Sequence, residues 1–93
     1  MRLSNYEKNV IKTSINKHDP EAAVYLFGSR TDDTKKGGDI DILVLSKKIN
    51  PDDKIDIKVD IFEKLEEQKI DIILAKDSKR PFVKLAMEQG ILL

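Results

Sequence analysis

Asp39 and Asp41 stand two residues apart at the mouth of the apolar run Ile42-Leu43-Val44-Leu45. Alternate side chains of an extended strand share a face, so the two carboxylates are expected side by side. Carboxylates held that close repel each other unless a cation neutralises them, and paired oxygen ligands at a sheet rim suit Mg²⁺ bound together with substrate phosphates. A third acid, Asp71, interrupts another aliphatic run, Ile70 to Ala75, where an unpaired buried charge would be costly. If the two runs are neighbouring strands, the three acids converge. The third carboxylate can then ligate a second metal or take the proton from an attacking hydroxyl. The alternative for Asp71 alone is a strand-edge acid facing water.

Gly28-Ser29 follows the apolar run Ala22 to Phe27. A glycine backbone able to approach closely, a free amide and a small hydroxyl are what a phosphate cradle needs. The pair alone is an ordinary turn signal; its meaning comes from the acids downstream. Arg30 and Lys36 are cations that could stabilise charge on leaving phosphates, although Arg30 could equally pair with Asp32 or Asp33 on the surface.

These residues need elements to hold them. Ser4 can cap a first helix over residues 4–18, with Glu7 completing a capping box and Val10, Ile11 and Ile15 at helical spacing. Asp19-Pro20 ends it. Ala22 to Phe27 and Asp39 to Leu45 read as strands, separated by a polar loop or single helical turn that closes on Gly37-Gly38. Residues 52–68 fit either period in part, but their length, the Asn50-Pro51-Asp52 start and the Glu63-Lys64-Leu65-Glu66-Glu67 ending favour a helix. Ile70 to Ala75 is a third strand, Ser78 to Gln89 a last helix stopped by Gly90, and the apolar Ile91-Leu92-Leu93 is expected to pack on the sheet or meet a partner.

The 93 residues carry 17 basic and 17 acidic side chains, interspersed, which disfavours a dedicated nucleic-acid binder. With no cysteine, disulfides, thiolate metal sites and cysteine nucleophiles are excluded. No signal-peptide core or membrane-length apolar run appears, so a soluble cytoplasmic protein is expected. A single small domain over 1–93 offers only a shallow site, and help from a partner chain or an oligomer is expected. His18 is read as a helix-end residue, Tyr6 and Tyr25 as packing residues, and Asp56 and Asp60 as part of a solvated face.

The combined pattern is Phe27-Gly28-Ser29-Arg30, then Gly38-Asp39-Ile40-Asp41-Ile42-Leu43-Val44, then Asp71 in a third strand. It resembles the nucleotidyltransferase superfamily that includes DNA polymerase beta, and more closely the stand-alone minimal nucleotidyltransferases. The nine residues between Ser29 and Asp39 are one fewer than that family's usual interval. The resemblance implies an α+β fold, a small mixed sheet with helices packed on one side. It implies Asp39 and Asp41 as Mg²⁺ ligands for a pair of ions, Asp71 as the third carboxylate and a further metal ligand, and Gly28, Ser29, Arg30 and Gly38 at the nucleotide. The implied reaction moves a nucleoside monophosphate, AMP from ATP, to a hydroxyl acceptor.

Relatives of this size are commonly encoded beside a helical HEPN-domain protein, so the resemblance also implies an antitoxin that adenylylates or sequesters a HEPN ribonuclease. The competing expectation is a non-catalytic nucleotide-binding subunit acting by complex formation alone. Transfer to a small molecule such as an aminoglycoside is a third, disfavoured because such enzymes carry additional substrate-binding structure.

Overall fold

In a computed structural model, which describes residues 1–66 and 68–93, three helices pack on one four-stranded sheet. Helix α1 spans Asn5–His18, and its start is the expected capping box: Ser4 Oγ accepts from Glu7 N while the Glu7 carboxylate accepts from Ser4 N. Strand β1, Ala23–Phe27, runs into a 3₁₀ turn over Gly28–Thr31. The helical turn thus covers the Gly-Ser pair itself, and the polar stretch Thr31 to Gly38, expected as a loop or single turn, is a loop beyond Thr31. Strand β2 is Ile40–Leu45, so Asp39 lies one residue before it.

Helix α2, Pro51–Lys64, settles the ambiguous segment as a helix. Asn50 and Asp53 form a second capping box ahead of Pro51, which has no amide hydrogen to lose at the first helical position. The helix stops earlier than the expected 68, because Glu66 adopts a left-handed backbone (φ 53°), the conformation that commonly terminates helices. Glu67, within the expected span, lies outside the described residues. Strand β3, Ile70–Ala75, matches expectation, whereas α3 is confined to Pro81–Gln89. The residue before a proline is biased to extended backbone, and Arg80 is extended (ψ 138°), so the helix cannot begin at Ser78. Ile91–Leu92 forms β4, the sheet-packing outcome for the apolar terminus.

The strand order is β3-β2-β1-β4. β2 and β3 are parallel, joined across α2, while β1 pairs antiparallel with both β2 and β4. Period-two alternation sorts the side chains into two layers. Val24, Leu26, Ile40, Ile42, Ile70 and Ile72 face α1 and α2, meeting the buried Ile11, Ile15, Ile57 and Ile61. The other face carries Leu43, Ala75, Phe27 and Ile73 against Val83 and Ala86 of α3. One-sided packing thus describes α1 and α2, while the short α3 lies on the opposite face. Each fully buried isoleucine contributes about 1.5–3 kcal/mol relative to exposure. Among the described residues no helix is long and apolar enough to cross a membrane.

Candidate active site

The parallel register of β2 and β3 sets Asp41 directly beside Asp71. Both belong to the sheet face that α3 only partly covers, at the end where β1 gives way to the Gly28–Thr31 turn and Phe27 is the cross-strand partner of Asp41. Strand adjacency was the condition for convergence of the acids, and the parallel ladder supplies it for this pair. Asp41 is driven above the ordinary carboxylate pKa. Partial burial is the largest cause, followed by the negative charges of Asp71 and Asp39 and a hydrogen-bond contact with Asp71; Lys69 opposes the rise.

Asp39, whose charge also acts on Asp41, has a cation beside it. Its Oδ2 lies 3.5 Å from Lys69 Nζ, with both side chains substantially exposed. Lys69 also precedes β3, and its carbonyl accepts from Ile40 N, which stitches the starts of the two strands together. This lysine escaped the sequence reading; its position just before the Asp71 strand was the available signal. Among the described residues no set of three His, Cys, Asp or Glu side chains is gathered into a ready-made metal cage. The donor set still suits a divalent cation: hard carboxylate oxygens, mutually repelling, with an incoming proton already favoured at Asp41 and a lysine ammonium as the resident counter-charge.

Gly28 stands over this acid pair. It has φ +76°, and a β-carbon built on it would fall 2.5 Å from Asp41 Oδ2. Any larger residue would displace the carboxylate or the turn. Gly38, with φ +90°, makes the matching approach from the far end of the loop, where a β-carbon would lie 2.6 Å from Ser29 Oγ. The two glycines therefore bring Ser29 and Asp41 into one small region, although 11 residues separate them in the chain.

Arg30 is turned away from the surface acids. Its Nε donates to Gly38 O at 3.2 Å, Nη1 to Arg2 O at 2.9 Å and Nη2 to Gln68 Oε1 at 3.3 Å. The suggested pairing with Asp32 or Asp33 is not formed; Asp33 instead meets the N-terminal ammonium of Met1. Lys36 is exposed on the loop. Arg2, missed from sequence because nothing marks an isolated N-terminal arginine, donates to three carbonyls of the same loop, those of Ser29, Asp32 and Gly37.

Beside Gly28, an open pocket of about 270 Å³ is lined by Phe27, Thr31, Phe82, Leu85 and Gln89. Phe27 and Phe82 meet edge to face at 5.9 Å, and Phe82 and Leu85 are half exposed there. His18, Tyr6 and Tyr25 take no part in the acid cluster: His18 Nδ1 is 3.4 Å from Asp53 Oδ1, Tyr6 Oη donates to Lys64 O at 3.4 Å, and Tyr25 packs under α3. Asp60 pairs with Lys64 on the helix surface.

The mixed sheet thus sets a turn entered through a positive-φ glycine against strand-borne carboxylates. The family model described as Polymerase beta, Nucleotidyltransferase matches residues 9–93, and the chain belongs to that family. Against individual curated proteins the sequence gives no match.

Proposed function

We propose that this nucleotidyltransferase domain moves AMP from ATP to a hydroxyl acceptor. The observation that carries the reading is the approach of Gly28 to Asp41, which sets a phosphate-type turn directly against a pair of strand carboxylates. Asp39 and Asp41, with Asp71, would hold Mg²⁺. When bound, such ions neutralise phosphate charge and stabilise the entering and leaving oxygens of an in-line displacement.

The chain's own residues supply the rest. The amides and hydroxyl of Gly28 and Ser29 hold the triphosphate, with the Gly38 approach fixing the Ser29 side chain. Asp71 accepts the proton of the acceptor hydroxyl. A bond forms between the acceptor oxygen and the α-phosphorus, the bond to the bridging oxygen of the β-phosphate breaks, and pyrophosphate leaves. Because the carboxylates lie on a sheet face that α3 leaves partly open, the acceptor can be a macromolecule presenting its own hydroxyl. A HEPN-domain protein is the acceptor we propose, making this chain an antitoxin that acts by adenylylation.

The test is transfer of label from α-labelled ATP with Mg²⁺ to a partner HEPN-domain protein, with Asp39→Ala plus Asp41→Ala as the control. Label on the partner that disappears in the control supports the reading. No transfer from any nucleotide, despite a stable complex, would replace it with the non-catalytic subunit. That second reading draws on one observation, the Lys69 ammonium 3.5 Å from Asp39, which supplies counter-charge beside the acids from the chain itself. Its signature would be neutralisation of the partner that survives Asp41→Asn.

A further inference from the structure

The loop between Gly28 and Gly38 is held from behind by a side chain with no place in the chemistry so far. Arg2 donates through Nη2 to Ser29 O at 2.8 Å, through Nε to Asp32 O at 2.8 Å and through Nη1 to Gly37 O at 2.7 Å. These carbonyls sit at the start, middle and end of the loop, so one planar group ties its whole length together. The backbone reinforces the contact: Arg2 N donates to Arg30 O at 2.7 Å, and Arg30 Nη1 returns a bond to Arg2 O at 2.9 Å.

We propose that Arg2 is a positioning residue for the nucleotide loop, holding Ser29 and Gly38 in the shape that receives a triphosphate. The inference rests on the nucleotidyltransferase reading above. Three physical points support it. A trans peptide directs its C=O and the following N–H in opposite senses, so drawing three carbonyls toward Arg2 turns the amides of Arg30, Asp33 and Gly38 away from it. The Gly37 bond fixes the residue next to Gly38, whose close approach sets Ser29 Oγ. Finally, a guanidinium behind the loop contributes positive potential where phosphates would bind, and it does so without occupying the site. Lysine keeps the charge but cannot reproduce the brace, since a single ammonium lacks the rigid fork that reaches separated carbonyls.

The decisive experiment compares wild type, Arg2→Ala and Arg2→Lys by hydrogen exchange of the 28–38 amides and by calorimetric titration with Mg-ATP. Arg2→Ala is expected to speed exchange across this loop while β2 and β3 remain protected. It should weaken Mg-ATP binding about tenfold, as when the competent loop population falls to about one tenth. Arg2→Lys should stay closer to Arg2→Ala than to wild type. Unchanged affinity in Arg2→Ala would overturn the proposal even if exchange rises, since the brace would then be structural only. Full recovery in Arg2→Lys would overturn it too, because charge and not the fork would be responsible. A wild-type protein that binds no nucleotide would sink the proposed function, and unchanged loop exchange in Arg2→Ala would separately sink the brace.

Discussion

Gly28 and Asp41 approach so closely that a β-carbon on Gly28 would lie 2.5 Å from Asp41 Oδ2. The turn that would take phosphate and the strand that would take metal are thus one packed unit, and a single methyl group tests it. Gly28→Ala combines a clash with a backbone at φ +76°. The left-handed conformation alone should cost about 1–2 kcal/mol, measurable by urea unfolding. Nucleotide binding should fall further than that stability loss explains, because relieving the clash moves Asp41 or the turn.

Asp41→Asn and Asp71→Asn separate stability from chemistry. Each removes one of two carboxylates that repel across the parallel ladder, so the unfolding midpoint in metal-free buffer should hold or rise. Transfer should fall by about a hundredfold or more, since a lost contact of about 3 kcal/mol to the metal or the reacting proton corresponds to that rate change. A midpoint that drops sharply in both variants would mean the acids serve the fold.

Mg²⁺ should stabilise the folded chain by linkage. At a concentration a hundred times its dissociation constant the gain is about 2.7 kcal/mol, several degrees in the melting midpoint of a domain this size. The gain should disappear in Asp39→Ala plus Asp41→Ala and should not be reproduced by K⁺ at equal ionic strength.

Lys69 competes for Asp39. The pair at 3.5 Å is solvent-exposed, so Lys69→Ala should change metal-free stability by less than about 1 kcal/mol. Freed of its ammonium, the acid cluster should bind Mg²⁺ more tightly, by a few-fold in a calorimetric titration. Weaker binding would show that Lys69 positions Asp39 instead of occupying it.

At the other end of the sheet, Ser46 Oγ donates to Asp19 Oδ2 at 2.6 Å and accepts from Lys48 N and Ile49 N, joining the end of α1 to the end of β2. The Ser46 hydroxyl, then the Glu21 amide, hold the Asp19 pKa below its usual 3.8. A depressed folded-state pKa gives stability that is present above the unfolded value and lost as pH falls through the folded one. Asp19→Asn should therefore be less stable than wild type at neutral pH, with the difference shrinking as pH drops below about 4. Ser46→Ala should cost about 1–3 kcal/mol, because the buried Ile49 amide and the part-buried Lys48 amide lose their acceptor.

Much of this molecule is written locally. The capping boxes at Ser4 and Asn50, the glycine turn after Phe27, and the alternation that puts Ile40 and Ile42 on one face and Asp41 on the other depend on near neighbours, and the sequence carries them openly. The boundaries that slipped have local causes too: Pro81 delays α3 and Glu66 ends α2.

What only the tertiary structure decided is everything that depends on which strand lies next to which. That Asp41 meets Asp71 follows from parallel pairing across α2, and a pattern of hydrophobic residues does not encode strand order. That Arg2 grips a loop 27 to 35 residues away, and that Lys69 claims Asp39, are likewise contacts between distant segments. The sequence by itself determined the chemical inventory and the elements that bear it, because side-chain type and backbone preference are properties of short stretches of chain. The fold decided which members of that inventory meet, because packing energy is shared among residues brought together only when the sheet assembles.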